Sequence, residues 1–357
     1  MTSKGKILVT GAGGFIGGRV IEMLHLAGVR SLRAAVRQWA SCARIGRFPV
    51  EVVKMNLLDD AEMAAAMDGV SEVIHCAKGS REGIVEGTRR LAECAYKSGV
   101  SRFIYLSSIA VYGKATGTLE EGMPLAHTGD EYADAKIDAE GICQEFGRKG
   151  LPVSILRPTI VYGPHSGLWT EEVIAKLAAG QWGTFGEVGK GKCNLLYVDD
   201  LVGAIVACLY DKRAVGQTFN ISGPEVVTWN EYFSRIQKDL ELPPLREHTK
   251  HGSNVRALMM EPVRVVARYV RDHHMGKVKW IAERSRLLKR CIKSAEAGIK
   301  GTPSLGEFAL WSTDAIYSIE RVKATIGFVP RFSIDEGLQL THQWYRHQES
   351  LGNGDGQ

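Results

Sequence analysis

Residues 6–17 read KILVTGAGGFIG. The run Lys6 to Thr10 is apolar and β-branched on consecutive positions, which predicts a strand buried on both faces. Gly11, Gly14 and Gly17 follow in TGxxGxxG spacing, where the strand turns into a helix. The three glycines answer three separate needs, namely a tight turn, close approach of a pyrophosphate to backbone N–H groups, and close packing of helix on strand. A glycine pattern alone is weak, but one that closes a first strand and opens a helix is specific for a dinucleotide-binding turn. Gly11, Gly14, Phe15, Ile16 and Gly17 are therefore the expected phosphate-binding residues.

Outward from this turn, residues 5 to about 160 alternate β-branched runs with helical stretches. The candidate strands are KILVT, LRAAV, VEVVKM, SEVIHCA, RFIYLSS and PVSILRP, with helices expected over Gly17 to Ala27, Ala61 to Met67 and Ile84 to Ser98. Repeated βαβ units of this kind predict an α/β fold, a Rossmann-type doubly wound parallel sheet, followed by a smaller C-terminal substrate-binding lobe. We expect the dinucleotide-binding domain over 1–163 with returning segments at about 192–222. The lobe is expected over 164–191 and 223–350, with further helices at Asp199 to Tyr210, Asn230 to Leu240 and Ile334 to Arg346. Tyr162 to Gly191, rich in Gly and Trp, reads as irregular chain near a site, and 351–357 as a frayed tail.

The composition fits an ordinary globular chain: 357 residues, 45% apolar and 24% charged, far from disordered or membrane-spanning classes. No apolar run approaches the ~18 to 20 residues needed to span a bilayer, and the N-terminus enters a strand without a signal-like apolar stretch. A cytoplasmic protein is expected. Seven scattered cysteines without a CxxC pair argue for small core residues rather than disulfides or a metal site.

Past the glycine turn, an acidic residue ~20 positions on would mark NAD(H), because it accepts from the ribose 2′-hydroxyl. This chain has AAVRQ there, with Arg37 near that place. A guanidinium suits a 2′-phosphate and cannot accept a hydrogen bond, so NADP(H) is favoured over NAD(H). Asn56 and Leu57 after the third strand, Ala77 after the fourth and Pro158 are expected further along the cofactor.

The catalytic signal lies beyond the fifth strand, where YLSSIAVYG supplies Ser108 and YADAK begins 24 residues later. Tyr132 and Lys136 are one helical turn apart on one face. A phenol is a poor base at neutral pH, and a fixed ammonium within about 4 to 6 Å favours its ionised form. Tyr132 then exchanges a proton with the substrate oxygen, Ser108 holds that oxygen, and Lys136 supplies the charge.

With these motifs in place, the chain resembles the extended short-chain dehydrogenase/reductase family, in the branch of NAD-dependent epimerases, dehydratases and 3β-hydroxysteroid-dehydrogenase-like enzymes. The resemblance rests on TGAGGFIG at 10–17, SSIAVYG at 107–113, YADAK at 132–136, LRPTIVYGP at 156–164, YVDDL at 197–201 and GFVPRFSIDEGL at 327–338. It implies Ser108, Tyr132 and Lys136 as the catalytic set, contact of Lys136 with the nicotinamide ribose, a small C-terminal substrate lobe and a homodimer. Departures narrow what carries over. Ile109 and Ala110 stand where dehydratases of this branch carry an Asp-Glu pair, which disfavours dehydration. Ile84 stands where the family usually has Asn before VxGT. Cys193 and Asn194 precede VDD where many nucleotide-sugar enzymes place an Arg on the diphosphate.

The expected substrate pocket draws on Lys78, His165, Trp169, Trp182 and Phe185. Residues 246–300 hold 14 Lys and Arg against 5 Asp and Glu; a basic amphipathic pattern over Asn254 to Asp272, extended by Lys277 to Lys293, is a candidate for peripheral contact with an anionic membrane surface, although a lobe helix with a solvated basic face accounts for it more simply. Nothing points to nucleic acid. Three functions remain: a net oxidoreductase acting at a secondary alcohol or ketone carbon of a polar small molecule, a sugar type among the candidates; a nucleotide-sugar epimerase with tightly held NAD; and a non-catalytic NADP(H)-binding or redox-sensing protein. The intact Ser, Tyr and Lys set disfavours the last.

Overall fold

The computed structural model describes residues 5–248, 262 and 302–352. They fall into two compact units, the first comprising Met1–Trp169, Asn194–Glu225 and Ala315–Gly337, the second Thr170–Cys193, Val226–Asp314 and Leu338–Gln357.

The first unit is built on seven parallel strands: β1 (Lys6–Thr10), β2 (Leu32–Val36), β3 (Glu51–Lys54), β4 (Val70–His75), β5 (Arg102–Leu106), β6 (Val153–Pro158) and β7 (Thr218–Ile221). Their spatial order is β7-β6-β5-β4-β1-β2-β3. Leaving β1, the chain crosses to β2 on one side, and on its return β4 lies on the other, so β1 and β4 flank the point where strand order reverses. In open α/β sheets ligands bind beyond the carboxyl ends of strands at this point. Ile7, Leu8 and Val9 are fully buried, as expected for a strand covered by helices on both faces.

The covering helices include α1 (Phe15–Leu26), α2 (Asp60–Met67), α3 (Arg81–Lys97) and α4 (Glu131–Arg148). Helices α3 and α4 pack through Leu91, Ala92, Ala95, Ala135, Ala139, Ile142 and Cys143. The run of alanines on this seam keeps side chains short where the two helices meet. Asp130 caps α4 by accepting from the Ala133 N–H at 2.8 Å, and Ser80 caps α3 through the Gly83 N–H at 3.3 Å.

Two features of the chain's organisation differ from what the sequence leads us to expect. Residues 315–337, expected in the lobe, return to the first unit: Ala315–Tyr317 pairs in parallel with Gly117–Leu119, and the Asn194 side chain donates to the Ala315 carbonyl at 2.9 Å. This pairing joins segments nearly two hundred residues apart, which local patterns do not reveal. The stretch Tyr162 to Gly191, expected to be irregular, contains the helix Glu172–Ala178.

The second unit has an aromatic core. Trp182 meets Trp311 edge-on at 4.8 Å between ring centres, and Phe185 lies 4.6 Å from Trp311. Lys176 places its ammonium 4.0 Å from the Trp182 ring centre. Trp182 is 4% and Phe185 1% exposed, so both expected pocket residues are taken up by packing.

The basic segment over 254–293 lies outside the described residues, apart from Pro262. Among the described residues, no helix is long and apolar enough to cross a membrane, and no group of three or more potential ligands could hold a metal ion.

Candidate active site

The glycine turn has the geometry that its spacing predicts. Gly11 adopts φ +66°, and a Cβ there would meet the Cα and N of Ala77 and the carbonyl of Cys76, all at 2.9 Å. A Cβ on Gly17 would stand 2.4 Å from the Gly11 carbonyl oxygen. Gly14 caps α1 without a side-chain hydrogen bond, and the first turn of α1 carries no acidic residue. Backbone N–H groups at this helix end thus lack the usual capping oxygen, which suits an incoming anion. Phe15 and Ile16, half-buried, begin the helix.

Arg37 is exposed directly after β2, and among the described residues it has no ion-pair partner. Asn56 is exposed after β3, its side-chain oxygen accepting from the Leu58 N–H at 3.2 Å. Leu57 and Ala77 are half-buried, and Pro158 is buried at the end of β6.

Beyond β5, Ser108 opens a short helical turn, its hydroxyl accepting from the Ala110 N–H at 3.2 Å. The Ser108 hydroxyl lies close enough to the Tyr132 phenol to favour its ionised form. Lys136, 4% exposed, follows on the same face of α4 with its ammonium 6.0 Å from the Tyr132 ring centre. It donates to the Leu106 carbonyl at 2.7 Å and to the Tyr105 hydroxyl at 3.2 Å. Burial raises the Tyr132 phenol above its ordinary value, opposed by the nearby Ser108 hydroxyl. Burial also lowers Lys136 to about 8. The phenol is thus protonated at neutral pH in this arrangement, burial outweighing the pull toward the ionised form that the Tyr132–Lys136 spacing led us to expect.

Of the expected pocket residues, the structure brings Lys78 to this set, its ammonium 5.5 Å from the Tyr132 ring centre. His165 is half-buried with φ +68°, a conformation rare for a residue with a Cβ. Burial, and then Arg44 and Arg47, bring its imidazole down to about 4, so it is neutral at pH 7 and is not an acid there. Trp169 is half-buried in the first unit.

Two buried networks have no local signature in the sequence as a whole. In the first, Arg157 grips Glu140 through Nε at 2.9 Å and Nη2 at 2.6 Å, and donates to the Tyr112 hydroxyl at 2.9 Å. Tyr112 donates to Asn220 at 2.7 Å, and Ser107 to Glu140 at 2.5 Å. Glu140 lies one turn beyond Lys136, so this paired charge anchors α4 on the face that carries Tyr132 and Lys136. Arg157 alone was a readable signal, since a charge inside an apolar strand needs a partner. The second joins Thr10, His75 and Thr88, with the Tyr105 ring centre 5.5 Å from that of His75.

The family model for the NAD-dependent epimerase/dehydratase family matches residues 7–222. A UDP-glucose 4-epimerase of Vibrio cholerae is 30% identical over 66% of this chain and 76% of its own. Among solved structures, a UDP-glucuronic acid 4-epimerase from Bacillus cereus, in complex with UDP-glucuronic acid and NAD, superimposes with a TM-score of 0.69 at 18% identity, covering 96% of this chain and 99% of that one. A dTDP-glucose 4,6-dehydratase from Streptomyces venezuelae gives 0.70 at 21% identity, covering 97% and 98%. With a glycine turn at the switch point of a parallel sheet, and Ser, Tyr and Lys together beyond its fifth strand, the chain belongs to the NAD-dependent epimerase/dehydratase family of oxidoreductase-type enzymes.

Proposed function

We propose that the protein interconverts a secondary alcohol and a ketone on a polar, sugar-type substrate, using a nicotinamide dinucleotide at the glycine turn. The observation that carries this reading is the Lys136 ammonium 6.0 Å from the Tyr132 ring centre, with the Ser108 hydroxyl acting on the same phenol. The sugar-type substrate is supported by relatives named for UDP-glucose and UDP-glucuronic acid.

The uncapped start of α1 and the bare backbone at Gly11 and Gly17 fit a dinucleotide. Gly11, Gly14, Phe15, Ile16 and Gly17 would hold its phosphates, Asn56 and Leu57 its adenine, and Ala77, Pro158, Tyr132 and Lys136 its nicotinamide end. When bound, it supplies the acceptor or donor of a hydride at the reacting carbon. Tyr132 moves the matching proton: its Oη accepts the alcohol proton in oxidation and returns it in reduction. Ser108 Oγ holds the same substrate oxygen, and the Lys136 charge favours the phenolate whenever it forms. A phenol that is protonated at rest is ready to donate, which favours the reducing direction. Ile109 and Ala110 offer neither acid nor base, so dehydration has no further proton-transfer pair beside Ser108.

Arg37 supports NADP(H) as the preferred form, because an unpaired guanidinium suits a 2′-phosphate. Titrating the purified protein with NADPH and NADH by nicotinamide fluorescence tests this, and equal affinities count against it. A second reading, an epimerase that retains NAD, is favoured by the Vibrio cholerae relative. Stoichiometry separates the two: cofactor oxidised in proportion to product marks net reduction, and product without net cofactor change marks epimerisation.

A further inference from the structure

A lysine ammonium has three N–H donors. In Lys136 two are committed, to the Leu106 carbonyl and the Tyr105 hydroxyl, and among the described residues no third partner is present. The Tyr105 hydroxyl is itself held. It accepts from Lys136, so its own hydrogen points elsewhere, and the neighbouring Thr88 hydroxyl acts on it.

Thr88 in turn has a fixed polarity. Its hydroxyl donates to the Ile84 carbonyl at 2.5 Å, which leaves only lone pairs for other partners. His75 Nε2, 3.1 Å away, must therefore carry a proton and donate to Thr88. That leaves His75 Nδ1 bare, to accept from the Thr10 hydroxyl at 2.7 Å. Thr10, His75, Thr88 and Tyr105 are each no more than 2% exposed, so water does not compete for these bonds. Ile84, which stands where the resemblance led us to expect Asn, contributes the terminal acceptor through its backbone.

We propose that Tyr105, packed against His75 and beside Thr88, is a positioning residue for Lys136, occupying one N–H so that the ammonium presents a single remaining donor to the cofactor. This rests on the catalytic reading of Lys136 given above. It also ties the residue before the glycine turn to the catalytic lysine through one line of side chains.

A buried ammonium that loses an acceptor is less stable in its charged form and gives up its proton at lower pH. Full-length wild type, Tyr105→Phe, Thr88→Val and Lys136→Met are titrated with NADPH and NADH by nicotinamide fluorescence from acid to alkaline pH. In wild type, affinity falls as pH rises through about 8, where Lys136 discharges. In Tyr105→Phe the fall moves to lower pH by about one unit, and in Thr88→Val, which leaves the Tyr105 hydroxyl in place without the Thr88 hydroxyl beside it, it moves in the same direction by less. Profiles of both variants that coincide with wild type, while Lys136→Met binds weakly at every pH, overturn the positioning role alone. A Lys136→Met profile identical to wild type removes the catalytic reading instead. Should Tyr105→Phe fail to give a cooperative melt, Thr88→Val decides by the same comparison.

Discussion

Lys78 places its ammonium 5.5 Å from the centre of the Tyr132 ring, so the phenol is attended by two cations, this exposed one and buried Lys136. Lys78 also acts on Lys136, disfavouring its charged form. A cation near a phenol favours the phenolate. In the reducing direction, where Tyr132 donates as the phenol, Lys78→Met is expected to move the basic limb of the kcat–pH profile to higher pH without altering the fold. An unchanged limb would show that Lys78 merely rests on the ring.

Tyr132→Phe removes the proton-transferring oxygen and leaves the ring in place. We expect turnover to fall on the order of 10²–10⁴-fold, with cofactor affinity retained. Steady-state assays with nucleotide sugars, alongside a fluorescence titration, measure both. Retained turnover would move the protein toward a cofactor-binding role without catalysis.

Arg37→Asp replaces a phosphate partner by a hydroxyl partner. Binding is expected to shift from NADPH toward NADH. An NADPH-to-NADH affinity ratio that does not change on substitution would remove Arg37 from the cofactor site.

His75 ties stability to pH. Burial lowers its imidazole to about 3 from an ordinary 6.5. The unfolded chain therefore binds the extra proton throughout that window, so the contribution is complete above about 6.5 and is lost as pH falls toward about 3. Melting temperatures of wild type and His75→Gln, measured between neutral and mildly acid pH, are expected to diverge most at neutral pH and to converge on acidification. A constant difference would place the loss elsewhere.

Arg157→Met leaves Glu140 buried without its partner, since Glu140 is 1% and Arg157 2% exposed. Breaking one side of such a pair costs roughly 3–5 kcal/mol. Urea unfolding of the variant should show this loss, and the double variant Arg157→Met, Glu140→Leu should recover part of it. A double variant no more stable than the single one would mean that the pair is not the source.

The fold was legible wherever neighbours in sequence are neighbours in space. The glycine turn, the consecutive apolar strands and the four-residue spacing of Tyr132 and Lys136 are all local patterns, and expected helix ends lie within a few residues of those observed except at the C-terminal helix, which runs on to Gly352. The supporting shell was not legible, because it is assembled across the sheet: Tyr112 meets Asn220 across 108 positions, and Thr10 meets His75 across 65. Trp182 and Phe185 misled for another reason. Aromatic residues among glycines look like a pocket wall, yet here they face Trp311 and Phe233, supplied from more distant segments.

The return of Ala315–Tyr317 to pair with Gly117–Leu119 has a consequence for how the protein is made and how its family diversifies. A nascent chain that has passed residue 221 holds all seven strands of the central sheet, yet its 117–119 segment waits almost a hundred residues more for a partner. A premature stop before residue 315 thus yields an incomplete first unit as well as a shortened second one. The second unit enters the chain as excursions from the first. Variation can therefore accumulate in those excursions by insertion and replacement, without a single cut in the gene ever separating the two units cleanly.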